Sequence, residues 1–429
     1  MQLLSQMIKD DMKPALGVTE PGAIAFSVAK ARSYTSGEVE QVTVSMNSGM
    51  YKNAFTCGIP NSNEVGNVFA AALGVVAGDE KKELESLSTV TPEDNHKAKE
   101  LVKVGKITVR VSEIQSRIFI EATVKTTEDE VTVTIRDSHT NITKIIVNGR
   151  VEFETKNEDK FIEESDKIKS KIHNYTLCQL YDYVSTVDID EIKFILEAYE
   201  VNYALFEEGI NNPRTSFARY LLKMNHGQII SDNEQATASL MCNAAIEARV
   251  IGINKPAMSI TGSGAHGIIA TLPLYAAYKV NGYSEEKLIR ATALSYLVCM
   301  YIKEYSGKLS AFCGCAIAAG TGVACALVYL KGGSVKQMAH TINNIASSIT
   351  GMICDGGNQG CTMKGVVAVD AAFKSVEFAM NDIYIDDVHG INAVTPEQTM
   401  KHMGEIASPG MVGTEKTIIE IFESKLKYF

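Results

Sequence analysis

The sequence contains no run of five or six charges of one sign, so nothing in it reads as an acidic or basic interaction tail. A basic balance is missing as well: 41 Lys and Arg stand against 51 Asp and Glu, a formal net charge of −10. Non-specific nucleic-acid binding needs a basic face that displaces counterions from phosphates, and this balance argues against it. There are no repeats at solenoid period and no low-complexity segment. The opening MQLLSQMIKDDMKPALG has no apolar signal-peptide core, because Lys9, Asp10 and Asp11 interrupt it, and a cytoplasmic protein is the expectation. Long apolar runs are nearly absent too. The exception is 311–330, 20 uncharged residues, long enough to cross a bilayer. Its Gly, Ala and Cys give weak hydropathy, so it is expected to be a buried core helix, with no membrane partner.

What is present describes an ordinary globular chain. Its 429 residues suggest two domains, possibly three, and 45% hydrophobic with 21% charged residues suffices for a large core. Nine cysteines without a secretion signal argue against a complete disulfide framework and for a reducing compartment. Cys178, Cys242, Cys299 and Cys325 sit in apolar helical patterns, and Cys57 sits in a turn-like Thr-Cys-Gly-Ile-Pro. All five read as small structural hydrophobes. Cys313, Cys315, Cys354 and Cys361 resist that reading.

The periodicities predict an α+β protein. A short helix over 3–13 should stop at Pro14, and Thr19 should cap a helix running to about Arg32, with Glu20 and Pro21 in its first turn. Strand-like runs follow at 39–46, 107–111, 118–124, 131–135 and 142–147; several alternate polar and apolar residues, as half-buried antiparallel strands do. Asn148-Gly149 signals a hairpin. The charged stretch 155–171 marks either a domain boundary or the exposed start of a helix. Read as a boundary, it separates an N-terminal α/β domain with a mostly antiparallel sheet, 1–160, from a mainly helical catalytic domain, 161–429.

Two glycine-rich loops interrupt the helical half. Met352-Ile353-Cys354-Asp355-Gly356-Gly357-Asn358-Gln359-Gly360-Cys361 places two thiols at the ends of a flexible C-x6-C loop, where glycine lets the backbone fold tightly. Cys313-Gly314-Cys315 lies upstream, within reach of a helical hairpin. This spacing matches no common zinc pattern and leaves a metal site and buried core thiols equally open. The other loop, Ser259 to Gly267, offers hydroxyls, amides and the imidazole of His266; it reads either as a nest for a carboxylate or phosphate or as a plain turn. It lacks the Gly-Lys-Ser/Thr ending of a nucleotide P-loop. His139, in Ser-His-Thr-Asn, is the next histidine of interest.

These residues carry a resemblance. Lys13-Pro14-Ala15-Leu16-Gly17-x-Thr19-Glu20-Pro21, Lys52-Asn53, His139-Thr140-Asn141-Ile142, Gly262-Ser263-Gly264-x-x-Gly267-Ile268, Leu309-Ser310-Ala311-x-Cys313, Met352-Ile353-Cys354-Asp355-Gly356 and Cys361-x-Met363-Lys364 follow one another along nearly the whole chain. In this order they resemble the L-cysteine desulfidase (UPF0597) family, relatives of the alpha region of bacterial iron–sulfur L-serine dehydratases. The resemblance implies a [4Fe–4S] cluster on Cys313, Cys354 and Cys361 with one iron lacking a cysteine, Cys315 being a neighbour. An open iron can bind a sulfur or oxygen leaving group, and a base must take the α-proton. The implied reaction is α,β-elimination of a small amino acid, L-cysteine to pyruvate, ammonia and sulfide.

By analogy, catalysis falls on His266, Ser263 and Lys52, and substrate binding on Asn53, Asn141, Gly262, Ser263, Gly264 and Gly267. The chain departs from the family at Val18, where a fourth cysteine normally stands, and at Ala265-His266, where a polar pair is usual. These departures imply another leaving group, another base such as His266, or lost activity. The alternatives are an L-serine dehydratase, a non-catalytic cluster-binding or sensor protein, and a zinc site on Cys313, Cys354, Cys361 and His266. Apolar helices in the second half leave a homodimer open.

Overall fold

The computed structural model describes residues 2–115, 117–155, 170–307 and 309–425. Among the described residues eight strands form in chain order: β1 Lys13–Leu16, β2 Val39–Met46, β3 Ile107–Val111, β4 Phe119–Thr126, β5 Glu130–Arg136, β6 Ile142–Val147, β7 Arg150–Glu154 and β8 Pro256–Ser259. Six of them build one sheet in the order β3-β2-β4-β5-β6-β7. Alternation decides which face is buried. Ile120, Ala122 and Val124 of β4 and Val131, Val133 and Ile135 of β5 are fully buried and face the helix Thr19–Arg32. The alternation fades at the edge, where every residue of β7 is exposed. Asn148 and Gly149 both take positive φ, 51° and 77°, and close the β6–β7 hairpin as their sequence predicts.

The sheet is antiparallel at every pairing but one. β2 and β3 run parallel, joined by a crossover that includes the helices Gly66–Ala77 and Pro92–Lys103. Two local expectations change. The first helix, Gln2–Asp11, ends before Pro14, which lies inside β1; and Thr19 is the first helical residue, with Val18 in the cap position. Valine has no side-chain oxygen to accept an amide, and the Thr19 hydroxyl instead donates to Glu20 Oε2 at 3.1 Å.

β1 and β8 form a separate antiparallel pair, with Lys13 opposite Ser259 and Leu16 opposite Pro256. This ribbon leads into the Gly17–Glu20 turn at one end and the 260–264 loop at the other, where Thr261 N donates to Asp11 Oδ2 at 2.5 Å. The helical body lies beyond it, built around Glu234–Val250, Gly264–Asn281, Glu285–Ser306, Gly320–Leu330 and Gly360–Met380. The 311–330 run is core, as expected: a π-helical turn, Cys315–Ala319, leads into Gly320–Leu330, and most of it is fully buried. No described helix is long and apolar enough to cross a membrane.

Two hydrophobic cores result, one under the sheet and one inside the helical body, and each borrows from the other end of the chain. Leu4, Met7, Ile8 and Met12 pack into the helical core, whereas Leu309 and Ile419 pack into the sheet core. The boundary drawn from 155–171 falls almost wholly on 156–169, outside the described residues.

Candidate functional site

The three cysteines meet because two loops pair. Phe312 and Ile353 form an antiparallel bridge, with Cys313 N donating to Met352 O at 3.0 Å and Cys354 N to Ala311 O at 2.6 Å. The loop then turns at Gly356 (φ +103°), and Cys361 starts the helix Gly360–Met380 with its Sγ 3.3 Å from Gly356 O. A side chain at Gly356 would lie 2.3 Å from Lys52 O, and one at Gly357 would lie 2.8 Å from Val18. The cysteine loop is therefore pressed onto the N-terminal part of the chain, and only glycine allows that approach.

Burial raises all three thiol pKa values. For Cys313 the larger contribution is a hydrogen bond with Cys315, and Cys361 is pushed up to about 12. Cys313 adds to the rise at Cys354 and Cys361, Cys354 adds to it at Cys361, and the Lys364 ammonium opposes the rise at all three; Lys52 does the same at Cys354. Lys364 is itself held by Asp355. Among the described residues no three His, Cys, Asp or Glu side chains are arranged as a single-ion site, so the zinc alternative gains no support. The donor set is consistent with an iron–sulfur cluster: three thiols on adjoining loops, faced by two lysines, would each hold a different iron and need not converge on one point.

The N-terminal side contributes a hydrogen-bonded row. Asn53 Oδ1 lies 4.0 Å from Cys354 Sγ, and Asn53 Nδ2 donates to Glu20 Oε1 at 2.8 Å. His139, from the β5–β6 turn, brings Nε2 to 3.9 Å from Glu20 Oε1, an ion-pair distance, and this buried nitrogen makes no hydrogen bond. Burial pushes the Glu20 carboxyl up, but the His139 imidazole, the Asn53 amide and the charge of Arg249 outweigh it and hold the group at about 2. Lys52 is 1% exposed; its Nζ pairs with Glu415 Oε2 at 2.7 Å and donates to Ser310 O at 2.9 Å. Asn141 stays within its own turn, donating to Arg136 O at 3.0 Å.

The glycine loop forms the opposite wall. His266 sits in the first turn of Gly264–Asn281, its Nδ1 2.5 Å from Thr261 Oγ1, and a side chain at Gly314 would lie 2.7 Å from its Nε2. The imidazole thus rests on the Cys313–Cys315 turn. Burial first, then the charges of Lys303 and Arg249, lower its pKa to about 3, so it is neutral at neutral pH. Ser263 occupies the cap position of this helix without capping it. Gly262 is exposed (φ +75°). Gly264 and Gly267 serve close packing: a Cβ would stand 2.8 Å from Arg249 Nε at the first and 1.8 Å from Met258 O at the second.

The three cysteines, His266, Lys52, Asn53 and Val18 therefore gather at one place, while the Asn141 side chain does not reach it. Glu20 and Arg249 complete the site. In the sequence Glu20 reads only as a helix-start residue, and Arg249 lies in a helix with no motif around it.

A family model described as "Serine dehydratase alpha chain" matches residues 81–420. A "UPF0597 protein" of Clostridium botulinum (strain Okra / Type B1) is 40% identical over 423 residues, covering 98% of each chain. A similar protein of Caldanaerobacter subterraneus is 37% identical over 99% of this chain and 98% of its own. One from Elusimicrobium minutum is 33% identical over the full length of both.

Proposed function

We propose, from the premise that this chain belongs to the UPF0597 family and carries a serine dehydratase alpha chain domain, that it is a [4Fe–4S]-dependent lyase acting on a small amino acid, L-cysteine before L-serine. The observation that carries this reading is the Phe312–Ile353 bridge, which brings the Cys313 and Cys354 loops together against Asn53 and Val18, with Cys361 at the start of the helix that follows. Those three thiols would hold the cluster. When bound, it supplies a Lewis-acidic iron to the departing sulfur or oxygen.

The chain's own residues have the rest of the work. The α-proton must go to a base as the Cβ–S bond breaks, the C–H electron pair becoming the new double bond and the sulfur leaving as sulfide. The released aminoacrylate tautomerises and takes up water to give pyruvate and ammonia. Two imidazoles face this region. Buried beside Lys303 and Arg249, His266 is a poor proton acceptor and a good neutral hydrogen-bonding group. His139 has an unbonded Nε2 with the Glu20 carboxylate 3.9 Å behind it. We assign the proton to His139 and give His266 the task of holding the Cys313–Cys315 turn. Lys52 and Lys364 offset the negative charge of the thiolates.

Dehydration of L-serine is the rival, favoured by the description of the matching family model. Anaerobically purified protein should be brown. Cys354→Ser should abolish the visible absorbance, whereas Cys315→Ser should leave it intact. Incubation with L-cysteine or L-serine, measuring pyruvate and sulfide, separates the two substrates. A colourless zinc-containing protein would sink the cluster, and cluster-loaded protein that releases pyruvate from neither amino acid would sink the lyase.

A further inference from the structure

Arg249 is the least expected charge in the molecule. It lies in the last turn of the helix Glu234–Val250 and is only 4% exposed. Its Nε has no hydrogen-bond partner, and no ion pair reaches its guanidinium among the described residues. A buried arginine left in this state is costly, because no hydrogen bond repays the desolvation of Nε and only the more distant charge of Glu20 offsets that of the cation. Native proteins leave such groups unpaired where a ligand completes them.

Its surroundings say what kind of ligand. Arg249 passes directly against Gly264, the first residue of the helix Gly264–Asn281, so tightly that a Cβ there would stand 2.8 Å from Nε. The first-turn amides of a helix have no intrahelical acceptor and carry the positive end of its dipole. Ser263, in the cap position, does not fill that role with its side chain. The nearby anions are already engaged: Glu20 accepts from Thr19 and Asn53, and Asp11 accepts from Thr261 N at 2.5 Å. Guanidinium and helix start thus lie side by side, both electropositive, next to His266, which rests on the cysteine turn.

We propose that Arg249 seats the α-carboxylate of an amino-acid substrate, with the first turn of Gly264–Asn281 as its neighbour. This rests on the lyase reading for the identity of the substrate, though not for the presence of a carboxylate seat. A bidentate guanidinium–carboxylate contact fixes the plane of the carboxylate. It thereby orients the α-hydrogen and the β-substituent, and it discriminates amino acids from amines of the same shape.

The test uses L-alanine, which has no leaving group, and ethylamine, the same molecule without its carboxylate, each titrated anaerobically into cluster-loaded protein. L-alanine should bind wild-type protein on the order of 100-fold tighter than ethylamine. In Arg249→Gln both should bind equally weakly with the visible absorbance unchanged, and Arg249→Lys should recover part of the difference. Equal affinity of wild type for the two ligands, or no binding of L-alanine, overturns the proposal without any variant. Undiminished L-alanine affinity in Arg249→Gln also overturns it. Protein that prefers L-alanine but turns over no amino acid keeps the seat and removes the lyase reading. Protein that turns over L-cysteine with KM unchanged in Arg249→Gln keeps the lyase and removes the seat.

Discussion

Glu20 illustrates how a buried charge is made affordable by its neighbours and becomes sensitive to acid. Its carboxyl titrates at about 2, below its usual value of 4.5, so its charged form stabilises the fold above pH 4.5, and that contribution is lost as pH falls from 4.5 towards 2. Glu20→Gln should therefore cost ~3 kcal/mol at pH 7, by urea unfolding of cluster-free protein, and the deficit should shrink steadily between pH 4.5 and 2. A deficit that stays constant across that window would mean the carboxylate is not the source. At this scale the sequence was legible where chemistry repeats in blocks: the thiols and His266 stood in glycine-rich loops that no periodicity explains. Arg249 left no such trace. One arginine at the end of an apolar helix looks like a solvated cap, and only the chain packed over it makes it a buried cation.

Among the elements, glycine decides how near the site's walls can stand. The start of Gly264–Asn281 crosses β8 so closely that a Cβ at Gly267 would fall 1.8 Å from the Met258 carbonyl, a backbone atom that cannot rotate away. Gly267→Ala should destabilise by about 3 kcal/mol or more and lower Tm, and the displaced helix should carry His266 off the Cys313–Cys315 turn. A silent Gly267→Ala would show that the helix slides freely over the strand. Five of the six strands of the large sheet were legible as strand-like runs, whereas β7, exposed at every residue, was signalled only by the Asn148-Gly149 turn before it. The β1–β8 ribbon was not. Both strands are four residues long, β1 contains a proline and β8 begins with one, and their partners lie at opposite ends of the first 260 residues.

For the whole molecule, the helix Val412–Lys425 is fastened to the sheet core by charge as well as by apolar contact. Lys52 and Glu415, 1% and 7% exposed, meet at 2.7 Å and join the short helix Ser48–Ala54 to the last described helix, Val412–Lys425. Glu415→Ala should cost about 3–5 kcal/mol in urea unfolding, because it strands a buried ammonium, while Lys52→Met combined with Glu415→Leu should recover most of the loss. Equal damage from the single and double changes would locate the effect in packing alone. The same bond has a consequence for where the protein comes apart. It spans 363 positions, and the helix that holds Glu415 rests on the short helix that carries both Lys52 and Asn53. Peeling Val412–Lys425 away strands the Lys52 ammonium one residue from the amide that lies against Cys354.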